Sequence, residues 1–463
     1  MNQFKSRYIG DKAFYRMILM IAFPILVQNG ITNFVSLLDN IMVGQLGTEQ
    51  MSGVAIVNQL LNVYNICLFG AVSGASIFSA QFYGQGNDEG VRNTFRFKFI
   101  CCTLLFIVGI LIFLIGGGEL IHLFLHEDGT GNLLATHAAG MEYLMIMLIG
   151  LIPYTVTQIY ASTLRETGQT VLPMAAGAVA VLTNLFINYL LIFGKFGCPK
   201  LGITGAAIGT VVSRFFEAAI VVLWTHRNQE KNKFIRGAYR TFRIPPLLVK
   251  QILAKGTPLM ANEALWSAGQ AVLVQCYSMR GLNAVAALNI STTVSNLFNI
   301  FFIALGSSIS IVVGQQLGAG KMEQAVETDR KMIFFAVSVC IFIGAVLFLL
   351  SPMFPQIYNT SDDVRNLASN LIRVSSVFMP IYAFYHAAYF TLRTGGKTLV
   401  TFFMDSCYIW IVNIPTAYIL SRFTGLPMIQ VYLICQSVEL VKGVIGIILL
   451  KKGVWIHNIV DNV

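Results

Sequence analysis

The segment FPILVQNGITNFVSLLDNIMVGQLG occupies residues 23–47, and an apolar run continues it to SAQFYGQG at residues 79–86. Within residues 23–47 it carries a single carboxylate, that of Asp39, among apolar and uncharged polar side chains. The segment recurs without a gap 234 positions later, so that Pro24 matches Pro258. Polar and Gly residues keep this register to the end of the repeat. We therefore predict two similar halves, the first of which holds an internal acid.

The composition excludes an ordinary soluble protein. Of the 463 residues, 56% are hydrophobic and 11% are charged, whereas soluble domains average about 25% charged residues. A membrane-spanning helix needs about 20 apolar residues, and lipid forces the backbone to satisfy its own hydrogen bonds. We expect an all-α integral membrane protein with twelve transmembrane helices. The predicted spans are residues 17–40, 53–79, 97–117, 138–160, 171–193, 203–224, 256–278, 285–312, 332–350, 367–391, 399–421 and 428–450.

The net charge of +10 is distributed as in a membrane protein. If the amino terminus lies inside, most Lys and Arg residues fall in inner segments, which is the positive-inside bias. We therefore predict a multi-pass protein of the plasma (inner) membrane with both termini cytoplasmic. Its partners would be membrane lipids and small molecules, with no nucleic acid. The eight cysteines have no disulfide or metal spacing, so we expect no cofactor.

A basic segment, residues 226–255, divides the chain. We interpret it as a solvated cytoplasmic linker between an N-lobe (1–225, spans 1–6) and a C-lobe (256–463, spans 7–12). A second motif, LRETGQT at residues 164–170, also recurs as LRTGGKT. Two halves in the same orientation imply two pseudo-symmetric lobes, and transporters built this way bind their substrates at the interface of the repeats.

The polar residues of the first span lie three to four positions apart, on one helix face. Among them are Asn33, Ser36 and Asp39. An Asp at a span centre costs about 2.5–3.5 kcal/mol on insertion scales and is by default a functional candidate. The alternative is that Asp39 only accepts hydrogen bonds from a neighbouring helix.

Two further spans offer oxygen ligands at the depth of Asp39. Asn184 and Asn188 are one turn apart in the fifth span, and Thr210 is in the outer half of the sixth. A carboxylate, two amide oxygens and a hydroxyl suit a hard cation such as Na⁺, and a buried carboxylate can take a proton instead. A purely structural role for the two Asn side chains, as hydrogen bonds between helices, stays open.

The second half does not copy this site. Leu273 stands where the first half has Asp39. Glu263 in the seventh span shares a stripe with Trp266 and Gln270, and Asp405 in the eleventh lies at a similar depth, so that the two acids could share a proton. His386 in the tenth span is a further candidate, although a lone His on an apolar face more commonly has a structural role.

Two charged pairs have a spacing of three within one helix. They are Arg214 with Glu217 in the sixth span and Glu439 with Lys442 in the twelfth. Side chains at this spacing are neighbours on a helix. We interpret both pairs as structural and self-neutralising.

In their order along the chain, these motifs resemble those of the MATE (multidrug and toxic compound extrusion) family, in its bacterial, NorM/DinF-like form. The resemblance rests on residues 23–47, on AQFYGQGN with GQQLGAGK, on the LRETGQT repeat, and on LTNLFINYLLIFG followed by LGITGAAIGTVVSR. It implies an efflux antiporter, not an enzyme, that exports cationic or amphipathic organic compounds in exchange for Na⁺ or H⁺. We expect a monomer.

The resemblance also implies roles for single residues. Asp39 matches the family's first-span acid, and Glu263 looks like the seventh-span acid of some branches. We expect the coupling cation at Asp39, Asn184, Asn188, Thr210, Glu263 and Asp405, with Na⁺ as the one possible metal ion at the first three. We expect substrate contacts at Asn33, Ser36, Trp266, Gln270 and His386.

Two other functions remain open. A flippase for lipid-linked oligosaccharides has similar spans, but its anionic substrates call for a basic cavity. A membrane-embedded enzyme or structural protein belongs to another class. An enzyme would show a nucleophile–base pair or a metal cluster at one depth, and the sequence displays neither.

Overall fold

A computed structural model describes residues 7–124, 132–358 and 360–461, apart from the side chains of residues 35–37, 40 and 48. Within that part, the chain forms helices and no strands. Twelve long helical segments follow one another: α1 (Lys12–Gly44), α2 (Thr48–Gln85), α3 (Asp88–His122), α4 (Leu133–Glu166), α5 (Val171–Phe193), α6 (Ile203–Arg227), α7 (Pro246–Ser278), α8 (Leu282–Gly318), α9 (Met322–Leu350), α10 (Asp362–Thr394), α11 (Thr398–Phe423) and α12 (Met428–Lys451).

The twelve predicted spans fall on these helices in order, which confirms the all-α membrane fold. Across the described residues, eleven helices are long and apolar enough to cross a membrane. The helix outside that set is α7, whose apolar sequence is interrupted by polar side chains that include Lys255, Asn262 and Glu263. The helices extend several residues beyond most predicted boundaries.

Helix α11 is not a regular α-helix. It starts as an α-helix, passes through wider π-helical turns at Phe403–Cys407 and Ile409–Asn413, and resumes α geometry at Ile414. Single π-helical turns inside helices are frequent at functional sites. Asp405 lies within the first of these turns.

The repeated glycines at the ends of α2 and α8 have the same backbone conformation. Gly86 has a φ of +75° and Gly320 a φ of +72°. Only glycine adopts such angles without a steric cost. The repeat therefore reproduces the same left-handed turn in both halves.

The ends of α2 and α8 also cross at close range. A Cβ atom added at Gly84 would overlap the carbonyl oxygen of Gln315, and one added at Gly318 would overlap the carbonyl oxygen of Gln81. The contact is reciprocal because Gln81 and Gly84 match Gln315 and Gly318 in the repeat. Packing thus requires glycine at Gly84 and Gly318, whereas turn geometry requires it at Gly86 and Gly320.

The chain divides into two compact units. One contains Val27–Ser79 and Asn87–Ile252. The other contains the described residues up to Leu26, Ala80–Gly86, and the chain from Leu253 onward. Helices α1 and α2 thus contribute to both units. In the second unit, a core cluster brings Ile18 of α1 together with residues of α8, α9 and α10.

The segment after α6 is more ordered than the predicted solvated linker. Phe234 and Ile235 are buried, and Arg96 of α3 donates hydrogen bonds to the carbonyl oxygens of Ala238 (2.8 Å) and Gly237 (2.9 Å). This part of 226–255 is therefore less solvated than predicted, and its role as a linker between two lobes stays a prediction. The many charged residues of this segment mask the signal of two apolar side chains, Phe234 and Ile235, which are buried.

Candidate functional site

The four N-terminal site residues predicted from the sequence meet in one network. The Nδ2 atom of Asn188 donates to Asp39 Oδ1 at 2.8 Å and to Asn184 Oδ1 at 3.2 Å. The Nδ2 atom of Asn184 donates to Thr210 Oγ1 at 3.2 Å. Turning the Asn184 amide over would let it donate to Asp39 Oδ1 at 2.9 Å and accept from Thr210, an assignment that rests on the hydrogen-bond network. Both orientations link α1, α5 and α6.

One oxygen of this network has no hydrogen-bond donor among the described residues. It is Oδ1 of Asn188, which is buried. Buried polar atoms are normally satisfied, so an orphan of this kind needs an explanation. The oxygen faces the backbone of α6 at Gly209, where an added Cβ would overlap it. It belongs to the same side chain that donates to Asp39.

Two residues at this site were missed by the sequence analysis. Tyr143 of α4 lies near Thr210 and near Asn58 of α2. One aromatic residue among the 17 Tyr of the chain gives no signal of this role. Gly209 was missed too, because only the three-dimensional packing shows that a side chain there would meet Asn188.

We expect Gly209→Ala to impair the Asp39 network. The new methyl group would displace the Asn188 amide and so weaken its hydrogen bond to Asp39. Because this bond stabilises the ion-free carboxylate, the expected result is a higher apparent affinity for the coupling ion in reconstituted transport, by about tenfold if one charge-assisted hydrogen bond of roughly 1.5–3 kcal/mol is partly lost. Gly177→Ala is the control, since its Cβ would find only ordinary contacts, 3.7 Å and beyond. Equal ion dependence in the two variants would contradict the prediction.

One predicted charged pair forms and the other does not. Lys442 Nζ lies 3.0 Å from Glu439 Oε2, which confirms that pair. Arg214 and Glu217 are close enough to interact electrostatically, but among the described residues they form no ion pair within 4.0 Å. Arg214 instead lies over the Tyr154 ring, 4.9 Å from its centroid. An aromatic neighbour on another helix competes with the partner on its own helix.

The predicted C-terminal acids lie near each other, and each also has a basic neighbour. Glu263 of α7 is within electrostatic reach of Arg393 and Asp405. Asp405 Oδ2 accepts from Asn262 Nδ2 at 3.1 Å, and its Oδ1 lies 3.5 Å from Lys442 Nζ. Among the described hydrogen bonds, none joins Glu263 to Asp405. A shared ion site at these acids stays a prediction.

His386 has aromatic neighbours on two sides. Its ring centroid lies 4.5 Å from that of Phe302 and 4.4 Å from that of Tyr385, and its Nδ1 is 3.0 Å from the carbonyl oxygen of Tyr382. This is the setting of a hydrogen-bonded structural histidine, and a role in substrate binding remains a prediction.

The other predicted substrate contacts also stay predictions. Asn33 of α1 and Gln270 of α7 are exposed, and Trp266 is 40% exposed. The side chain of Ser36 lies outside the described residues. Each described side chain is accessible, which a substrate contact requires.

Known proteins match this chain over nearly its whole length. The family model MatE matches residues 24–190 and 258–419, one stretch in each repeat. The probable multidrug resistance protein NorM of Thermotoga maritima is 24% identical over 444 residues, covering 95% of this chain and 92% of the relative. The probable multidrug resistance protein YoeA of Bacillus subtilis is 24% identical over 427 residues, covering 90% and 89%.

A solved structure has the same fold. The crystal structure of MATE in complex with MaL6 aligns with a TM-score of 0.86 over 97% of each chain, at 18% identity. At that identity the likeness concerns the fold alone. The family model covers well over half of the sequence and includes both repeats, and the chain therefore belongs to the MatE family.

Proposed function

We propose that this protein is a multidrug efflux antiporter that exports cationic or amphipathic organic compounds in exchange for Na⁺ or H⁺. Membership of the MatE family makes it a membrane transporter rather than an enzyme. The relatives' names, as probable multidrug resistance proteins, support drugs as the substrates. One observation carries the coupling: the only acid of an apolar stretch, Asp39, contacts Asn188 in a network that includes Asn184 and Thr210.

The donor set at Asp39 fits both coupling ions. Na⁺ prefers oxygen ligands, and the site offers the Asp39 carboxylate, the orphan Oδ1 of Asn188 and the hydroxyl of Thr210. A proton needs only the carboxylate. No cofactor enters the proposal, because a transporter of this kind performs no bond chemistry.

In this proposal, the hydrogen bond between Asn188 and Asp39 couples ion binding to the position of α1. When Asp39 is ionised, its carboxylate accepts a charge-assisted hydrogen bond from Asn188, which holds α1 to α5. Such bonds are about twice as strong as neutral ones. A cation or proton at Asp39 weakens this bond and so changes how tightly α1 is held. A ligand shifts a conformational equilibrium only by its differential affinity for the two states, and this change in α1 provides that difference.

The wider arrangement is part of the same proposal. We place the N-lobe at 1–225 and the C-lobe at 256–463, with both termini cytoplasmic in the inner membrane and the protein monomeric among lipids. Glu263 and Asp405 would form the acidic part of the C-lobe. Substrate would contact the accessible polar residues of α1 and α7.

Reconstitution tests the proposal. Proteoliposomes loaded with ethidium are given an inward Na⁺ gradient or an inward pH gradient, one at a time, and the dye is followed by fluorescence. We expect at least one gradient to drive efflux above the level of protein-free liposomes, and that gradient identifies the ion. Efflux that follows neither gradient would overturn ion-coupled antiport.

A further inference from the structure

Lys442 of α12 is a buried cation between two acids. Its side chain is 2% exposed, and its Nζ lies 3.0 Å from Glu439 Oε2 and 3.5 Å from Asp405 Oδ1. Asp405 is the more accessible acid, at 18% exposure against 10% for Glu439. Since Asp405 comes from α11, Lys442 joins two helices rather than neutralising one neighbour.

Two aromatic rings complete the surroundings of this ammonium group. The Nζ atom lies 5.3 Å from the ring centroid of Tyr385 and 5.2 Å from that of Tyr408. A cation within about 6 Å of an aromatic centroid is attracted by the ring, and cages of this type recognise organic ammonium ligands. An organic ammonium compound is bound by carboxylates and aromatic rings arranged around one point, which is the arrangement around Lys442 Nζ.

Three of the four groups around Lys442 Nζ, all except Tyr385, are held by hydrogen bonds that do not involve Lys442. The Tyr408 hydroxyl donates to the carbonyl oxygen of Val438 at 2.7 Å. Asn413 donates to Glu439, and Asn262 donates to Asp405 at 3.1 Å. Held groups of this kind keep their positions when the central cation is exchanged.

The cage is not a general property of buried lysines in this chain. Lys98 of α3 is also fully buried, and its Nζ lies 2.8 Å from Glu166 Oε1 and 3.2 Å from the hydroxyls of Ser162 and Thr163. Among the described residues, no ring lies over the ammonium group of Lys98. Polar oxygens satisfy Lys98, whereas rings and two acids surround Lys442.

We propose that Tyr385, Tyr408, Asp405 and Glu439 form an organic-ammonium site that Lys442 occupies as a tethered cation. The lysine thereby excludes primary and quaternary ammonium groups from this part of the C-terminal half. It is a specificity-determining residue if the proposed transport function holds. The occupancy itself does not depend on transport, and a binding measurement tests it separately.

The test removes the Lys442 side chain and supplies a free amine in its place. Lys442→Ala removes three methylenes and the ammonium group, which n-propylammonium restores. We expect propylammonium to raise the thermal stability of the detergent-purified variant in a saturable way, because a ligand that binds the folded state stabilises it. The wild-type protein should show no such shift. The alcohol 1-propanol, which has a similar shape but no charge, should leave both proteins unchanged.

Further variants distinguish binding by the carboxylates and aromatic rings from simple filling of the cavity that Lys442→Ala creates. Lys442→Met fills the space without charge and should not respond to propylammonium. Adding Tyr408→Leu to Lys442→Ala should weaken propylammonium binding by roughly 3- to 30-fold, since one cation–π contact is lost. If Lys442→Ala does not fold alone, purification in propylammonium should restore its yield.

Three results would overturn the proposal. They are no response of Lys442→Ala to propylammonium in stability or yield, an equal response of the wild-type protein, or an equal response to 1-propanol. None of them requires ethidium efflux to be measured. Failure of this inference is therefore distinguishable from failure of the proposed antiport.

Discussion

Asp39→Asn is expected to abolish gradient-driven efflux while the protein still folds. Asparagine has nearly the same shape and keeps an oxygen that can accept the hydrogen bond from Asn188. It cannot become negatively charged, so neither Na⁺ nor H⁺ would change its interaction with α5. The variant should therefore lose the step that links ion binding to the conformation of α1.

The measurement is ethidium efflux from proteoliposomes under the gradient that drives the wild-type protein. We expect the rate of Asp39→Asn to fall to that of protein-free liposomes, with unchanged expression and melting temperature. Asp362→Asn is the matched control, because that side chain is 88% exposed and pairs only with its neighbour Arg365 among the described ion pairs. It should retain the wild-type rate. Efflux by Asp39→Asn that still follows the gradient would remove Asp39 from the coupling mechanism.

The sequence was sufficient to predict the fold because its signals are local. Apolar runs of about 20 residues specify spanning helices without knowledge of their neighbours, and the repeat established two similar halves. The Asp39 network was predictable for a related reason. Asp39, Asn184 and Asn188 stand out as polar residues in apolar spans, and matching depths brought them together with Thr210.

The partners that were missed depend on contacts between helices. Nothing in the sequence marks Tyr143 as a neighbour of Thr210, or Gly209 as the place where Asn188 needs space. A spacing of three residues identifies neighbours on one helix, but it does not show whether a residue on another helix lies closer. Arg214 lies over the ring of Tyr154. Lys442 lies near a second acid, Asp405 of α11, in addition to Glu439.

The second large effect is expected at the crossing of α2 and α8. Gly84→Ala and Gly318→Ala should each lower the melting temperature of the purified protein by several degrees. Each new methyl group would overlap a backbone carbonyl oxygen, that of Gln315 or Gln81. A backbone atom cannot rotate away as a flexible side chain does, so the helices must move apart, and overpacking of this kind costs about 1–3 kcal/mol. Gly30→Ala is the control, because nothing lies within 4 Å of its Cβ position.

The reciprocal geometry makes the double variant informative. If Gly84 and Gly318 hold one crossing, the first substitution already separates the helices, and the second meets less resistance. The combined loss of stability should then be smaller than the sum of the single losses, as is common for residues in contact. Additive losses would mean that the two glycines act independently. Single variants that melt like Gly30→Ala would show that the ends of α2 and α8 do not need this close approach.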